Sequence, residues 1–87
     1  MSKEIQASAL ALVVQERNRQ DRKWGEQNHL PFKWAVILGE EYGEVCKAVL
    51  EMPNEYDCQE VIDALTHTAA VAVTAIECIL RNNSAKG

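Results

Sequence analysis

The spacing of apolar and polar positions divides the chain into three helical segments and two breaks. From about Lys3 to Lys23, Ile5, Ala9, Leu12 and Val13, followed by Glu16 and Gln20, recur at the spacing of one helix face. That face is apolar in its first half and strongly polar in its second. Gly25 to Pro31 interrupts the pattern, with Gly25 suited to stop a helix and Pro31 suited to the first turn of the next. The second segment, about Phe32 to Met52, carries Trp34, Ile37, Leu38, Val45, Ala48 and Val49 on one side, and Glu40, Glu41, Glu44, Lys47 and Glu51 elsewhere. Gly39 and Gly43 each cost about 1 kcal/mol against alanine inside a helix, so the pattern predicts close approach of another backbone or a ligand there.

Pro53-Asn54 ends the second segment, and Asn54 is read as the N-cap of a third, about Glu55 to Asn82, with Glu55 and Asp57 placed for the helix dipole. From Val61 to Leu80 the only charged side chains are Asp63 and Glu77, and the apolar residues point in all directions around a 3.6-residue period. A helix apolar all round is buried all round. Two partner helices from so short a chain cannot cover it, which predicts that subunits assemble around it. The fold expected is therefore all-α: a three-helix chain forming an antiparallel helical bundle completed by homo-oligomerisation. A single domain spans 1–87, with a frayed tail at about 83–87.

Composition supports the same picture. The 87 residues make one small domain, which on folding buries only roughly 60 to 65% of the surface its unfolded chain exposes. Apolar residues are 47% of the chain but aromatic ones only 6%, and the small aliphatics that dominate favour close helix packing. The formal charge of −4 argues against binding nucleic acid through its phosphates, which requires a surplus of Lys and Arg. It leaves room for an anionic ligand carried on a divalent cation. Cys46, Cys58 and Cys78 are an odd number at no zinc-like spacing, and Met1-Ser2-Lys3-Glu4 leads into no apolar leader, so reduced thiols in a cytoplasm are expected. The longest uncharged run, Ala64 to Ile76, holds 13 residues and three threonines, short of the roughly 18 to 20 apolar residues of a membrane helix. No membrane association is expected.

Two acidic pairs carry the candidate chemistry. Glu41-Tyr42-Gly43-Glu44 is an E-x-x-E on the second helix, and Glu60-Val61-Ile62-Asp63 an E-x-x-D on the third. Positions three apart lie about 60° apart around a helix, so each pair presents two carboxylates to one point. The four positions centre on the Met52-Pro53-Asn54 break, so an antiparallel hairpin brings them to one height within a few Å, at about 1.5 Å per residue. Four facing carboxylates repel unless a cation neutralises them, and all-oxygen ligation suits Mg²⁺ or Mn²⁺ rather than zinc. A blander reading stands beside this one: a solvated acidic face, with Glu44 and Lys47 an ion pair and Glu60 reaching back to Asp57 as a capping box. Against it, Asp63 lies in the most apolar helix and Gly43 inside the first pair. A di-iron bundle needs Glu-x-x-His, and the residues three after Glu41, Glu44, Glu60 and Asp63 are Glu44, Lys47, Asp63 and Thr66.

The string Arg17-Asn18-Arg19-Gln20-Asp21-Arg22-Lys23-Trp24-Gly25-Glu26-Gln27-Asn28-His29 comes first. Then follow Trp34 and Ile37-Leu38-Gly39-Glu40-Glu41-Tyr42-Gly43-Glu44, then Glu60-Val61-Ile62-Asp63 and the Ala/Val-rich run. Together they resemble the MazG-like branch of the all-α nucleoside-triphosphate pyrophosphohydrolases. The likeness covers about Glu16 to Leu80, and the 15 residues between Glu44 and Glu60 fit the family's spacer. It implies a bundle active as a homodimer or dimer of dimers. It also implies Mg²⁺-dependent hydrolysis of an NTP or dNTP to the monophosphate and pyrophosphate. By matching position Glu41, Glu44, Glu60 and Asp63 would be the catalytic metal ligands, with Glu40 a supporting acid.

Around them, Lys23, Arg19 and Arg17 would contact phosphates, although a basic helix end is also favourable without a ligand. Trp24 or Trp34 would stack on a base, or else belong to the core. Asn28 would read a base edge or cap the loop. His67, one turn beyond Asp63, stands where relatives often carry a polar phosphate-contacting residue, and a core histidine is the alternative. Two other functions fit the same residues: a non-catalytic helical oligomeric interaction module, and a pyrophosphohydrolase of another phosphoanhydride such as a phosphoribosyl nucleotide.

Overall fold

The computed structural model describes residues 2–86, with side chains to residue 84. Three helices account for most of these residues, and there is no strand among them: α1 Ser2–Trp24, α2 Pro31–Leu50 and α3 Gln59–Lys86. The first break behaves as its sequence dictates. Gly25 takes φ +71°, a conformation open to a residue without Cβ, and its N–H bonds to Asp21 O at 2.8 Å to close α1. Pro31 then opens α2 at its first turn.

The second break differs from expectation. Asn54 does not cap a helix. Its Oδ1 accepts from the N–H groups of Tyr56 (2.9 Å) and Asp57 (3.1 Å), closing an Asx-type turn. The helix itself begins four residues beyond the expected Glu55, at Gln59, and the first bond across its start runs from Ile62 N to Cys58 O. At the other end α3 continues to Lys86, through the tail expected to fray.

α3 is the shared partner. α1 and α2 pack on it and not on each other. Its buried stripe is Ala70, Val71, Thr74, Ala75 and Cys78, the i, i+4, i+8 pattern of one helix face. Trp34 of α2 joins Val71, Ala75 and Cys78 in the core, flanked by Ile37 and Leu38. Further along, Thr68 Oγ1 lies 3.5 Å from Glu41 O, while Cys78 lies beside His29 at the head of α2. On the α1 side, Thr74 faces Gln20, and Arg17 donates to both carboxylate oxygens of Glu77.

Burial all round α3 is not achieved within one chain. Leu65, Ile76 and Leu80 are each more than half exposed, and so are Ile5, Leu10 and Val14 of α1. Every residue from Ser2 to Leu12 is exposed, so most of the apolar half of the α1 face is uncovered among the described residues. By length and apolar composition Gln59–Ser84 also meets the measure of a membrane span, a measure that a core helix meets equally.

Neither Gly39 nor Gly43 answers the expectation of close approach, because a Cβ built at either meets nothing within 4 Å. Gly39→Ala is therefore expected to stabilise α2 by about 1 kcal/mol, a rise of about 4–8 °C in Tm for a domain of this size. Thermal melts of the two proteins check this, and a lower Tm for the variant would mean that the added methyl meets a surface outside the single chain.

Candidate functional site

The four carboxylates singled out by spacing are brought together. Glu41 and Glu44 from α2 and Glu60 and Asp63 from α3 line one cavity of about 570 Å³, with Glu51, Lys47 and His67. The pairs meet because α2 and α3 pack face to face on either side of the Met52–Cys58 turn. The blander pairings do not form among the described residues: Glu44 makes no ion pair with Lys47, and Glu60 no bond back to Asp57. Asp63 Oδ1 instead accepts from Gln59 Nε2 at 2.9 Å, one turn earlier. Glu40 is exposed and lines neither this cavity nor its neighbour.

A second cavity, of about 610 Å³, adjoins the first. Lining it are six of the seven residues read as substrate contacts: Arg19, Lys23, Trp24, Asn28, Trp34 and His67. The two cavities share Glu41 and His67. Within the second, the residues differ in availability. Trp24 is 62% exposed, and the Lys23 ammonium stands 4.9 Å from its ring centroid. Trp34 is a core residue at 3% exposure, met edge-on by His29 at 4.8 Å, so it forms a wall rather than a free stacking face. Its indole N–H is buried with no hydrogen-bond partner among the described residues.

The arginines are occupied. Arg19 grips both oxygens of Glu16 at 2.8 and 2.7 Å. Arg17, read from sequence as a phosphate contact, lies outside the larger cavity and is paired with Glu77 and Asp21. Lys23 is the cation lining the larger cavity that carries no ion pair among the described residues.

His67 is half-buried and held between two carboxylates. Its Nδ1 is 2.9 Å from Glu16 Oε2 and its Nε2 is 3.2 Å from Glu41 Oε2, so one imidazole joins a carboxylate of α1 to one of α2. Sequence reasoning missed Glu16. The i, i+3 and i, i+4 spacing to Arg19 and Gln20 was visible, but the partner 51 positions away was not.

Three donors converge on Glu16, namely Arg19, His67 and Gln20 (Nε2 at 3.2 Å). Arg19 and His67 hold its carboxyl at about 2, well below the usual 4.5, chiefly through the Arg19 hydrogen bond and against the opposing effect of burial.

Comparison of the chain with protein-family models, with curated proteins and with solved structures finds no match. The chemistry of the site therefore rests on its own geometry. For a divalent cation, the donor set fits in kind: four opposed carboxylates, all hard oxygen donors, with Lys47 the one lysine or arginine lining their cavity. In position, no three His, Cys, Asp or Glu side chains among the described residues converge tightly enough to hold an ion as they stand. Rotation of exposed Glu44 and Glu60 is what a cation would have to recruit.

Because Glu16 has a lower pKa folded than unfolded, its ionised form stabilises the fold fully above about 4.5, and that contribution fades as the pH falls toward 2. Glu16→Gln should accordingly lower Tm at pH 7, with the gap from the parent protein closing between pH 4.5 and 2. A gap independent of pH across that range would show that the Glu16 charge does not matter.

Proposed function

We propose that this chain is a Mg²⁺-dependent nucleoside-triphosphate pyrophosphohydrolase acting as a homo-oligomeric antiparallel helical bundle. One observation carries the reading: a cavity walled by four carboxylates opens, through Glu41 and His67, onto a larger cavity walled by an exposed tryptophan, an unpaired lysine and loop amides. A nucleoside triphosphate has the complementary anatomy, an aromatic base at one end and a polyanion that needs a cation at the other.

In this reading Glu41, Glu44, Glu60 and Asp63 hold Mg²⁺, with Mn²⁺ able to substitute. The bound cation would neutralise phosphate charge and lower the pKa of the attacking water. Trp24 offers a face to the base and Lys23 offers a charge to the phosphate chain. A carboxylate of the cluster accepts the proton of the water. His67, held by Glu16, fixes the rotamer of Glu41 at the junction of the two cavities.

The antiparallel course is supported by the pairing of Thr68 with Glu41 and of Cys78 with His29. Assembly is supported by the apolar residues of α1 and α3 left more than half exposed, among them Ile5, Leu10, Leu65 and Ile76. A dimer or dimer of dimers covers them. With thiols unpaired at Cys46, Cys58 and Cys78, a reducing cytoplasm is the fitting compartment.

Glu41→Gln and Asp63→Asn should each abolish turnover of a dNTP panel in Mg²⁺ while far-ultraviolet dichroism is unchanged. All three proteins should sediment at the same multiple of 9.7 kDa. Full activity in both variants would dismiss the carboxylate site. A folded parent protein that sediments as a 9.7 kDa monomer would dismiss the assembly.

A further inference from the structure

The loop Gly25–Leu30 supplies Gln27, Asn28 and His29 to the larger cavity, and it is held by a residue that does not line it. Arg81, near the end of α3, donates from Nη2 to Gln27 O and to Asn28 Oδ1, both at 3.0 Å, and its Nε lies 3.5 Å from Glu26 Oε1. On its other side the same amide donates from Asn28 Nδ2 to Glu26 Oε2 at 3.1 Å.

These partners leave the amide one orientation. A guanidinium only donates and a carboxylate only accepts, so a flipped Asn28 would set donor against donor and acceptor against acceptor. The Cys78 Sγ, 3.7 Å from the same Oδ1, adds a weak donor on that side. With Oδ1 committed, what Asn28 has left for a ligand is the second N–H of Nδ2.

We infer that Arg81 is a positioning residue that fixes Asn28 as a hydrogen-bond donor, so that the cavity selects a ligand presenting an acceptor to the loop. On the nucleotide reading above, on which this rests, the acceptor is a carbonyl oxygen of the base or an oxygen of the phosphate chain. The Arg81–Glu26 pair alone would do little, because Glu26 is largely exposed. The two neutral acceptors are what give the clamp its direction.

The test uses the full chain with Arg81→Met, Arg81→Lys and Asn28→Asp. Affinities are measured for the α,β-methylene analogues of the four dNTPs in Mg²⁺ and for tripolyphosphate. Turnover of the matching dNTPs is measured as well. Arg81→Met and Asn28→Asp should each weaken analogue binding by about three- to tenfold, the range of one hydrogen bond. The combined variant should lose no more than either single one, since both remove the same donor.

Arg81→Met should raise KM and leave kcat within about twofold, which a general loosening of the fold would not do. Arg81→Lys, with one compact charge, should fall between. If tripolyphosphate binding is unchanged the acceptor is on the base, and the ranking of the four bases should shift. If it weakens equally the acceptor is a phosphate oxygen. Unchanged affinities in Arg81→Met, or an Asn28→Asp that binds as the parent does, overturn the inference while leaving the nucleotide reading intact. A folded parent protein that binds no analogue overturns that reading, and the inference with it.

Discussion

Among the described residues α3 is the only helix on which both α1 and α2 pack, and this constraint governs the molecule. An apolar helix of 28 residues must meet both others along one stripe, and its small residues there, Ala70, Val71, Thr74 and Ala75, allow the close approach. Among the described residues α1 and α2 do not pack on each other, and side chains of α3 bridge between them. His67 is such a link. It stands where the two flanking helices face the same point of α3, and it joins a carboxylate from each. The same constraint leaves Leu65, Ile76 and Leu80 of α3 more than half exposed among the described residues.

Electrostatics then divide the polar residues into two groups. Around α1, charges are matched: Glu16 with Arg19 and His67, and Arg17 with Asp21 and Glu77. These contacts fix α1 to α3 and satisfy buried Gln20 and Thr74. Between α2 and α3 the carboxylates outnumber their partners: four of them and Glu51 surround one cavity with a single lysine, and among the described residues only Glu41 has an ion-pair partner, His67. This acidic group abuts the larger cavity that Trp24, Lys23 and the Gly25–Leu30 loop line, and a divalent cation is the counterion it suits. That contrast within one small domain is the physical basis of the functional proposal.

Much of this could be read from the sequence, for identifiable reasons. Helix period, Gly25 and Pro31 located the first two helices, because local rules dominate there. The register of the two acidic pairs followed from the position of the Pro53 break. What escaped was either a competition between local structures or a long-range pairing. Asn54 had the chemistry of a helix cap, but its neighbours close an Asx-type turn instead, which delays α3 to Gln59. Arg17 and Arg19 looked available for phosphate because nothing local showed Glu77, and the reach of Arg19 back to Glu16 was overlooked. The clamp of Arg81 on Asn28 spans 53 positions and leaves no trace in any window of sequence.

The most direct test of the central claim is ³¹P nuclear magnetic resonance of the parent protein with a panel of NTPs and dNTPs in Mg²⁺. The account predicts monophosphate and pyrophosphate in equal amounts for at least one nucleotide, and no reaction in excess EDTA. Diphosphate with inorganic phosphate, or no turnover of any nucleotide by protein shown to be folded, would contradict it.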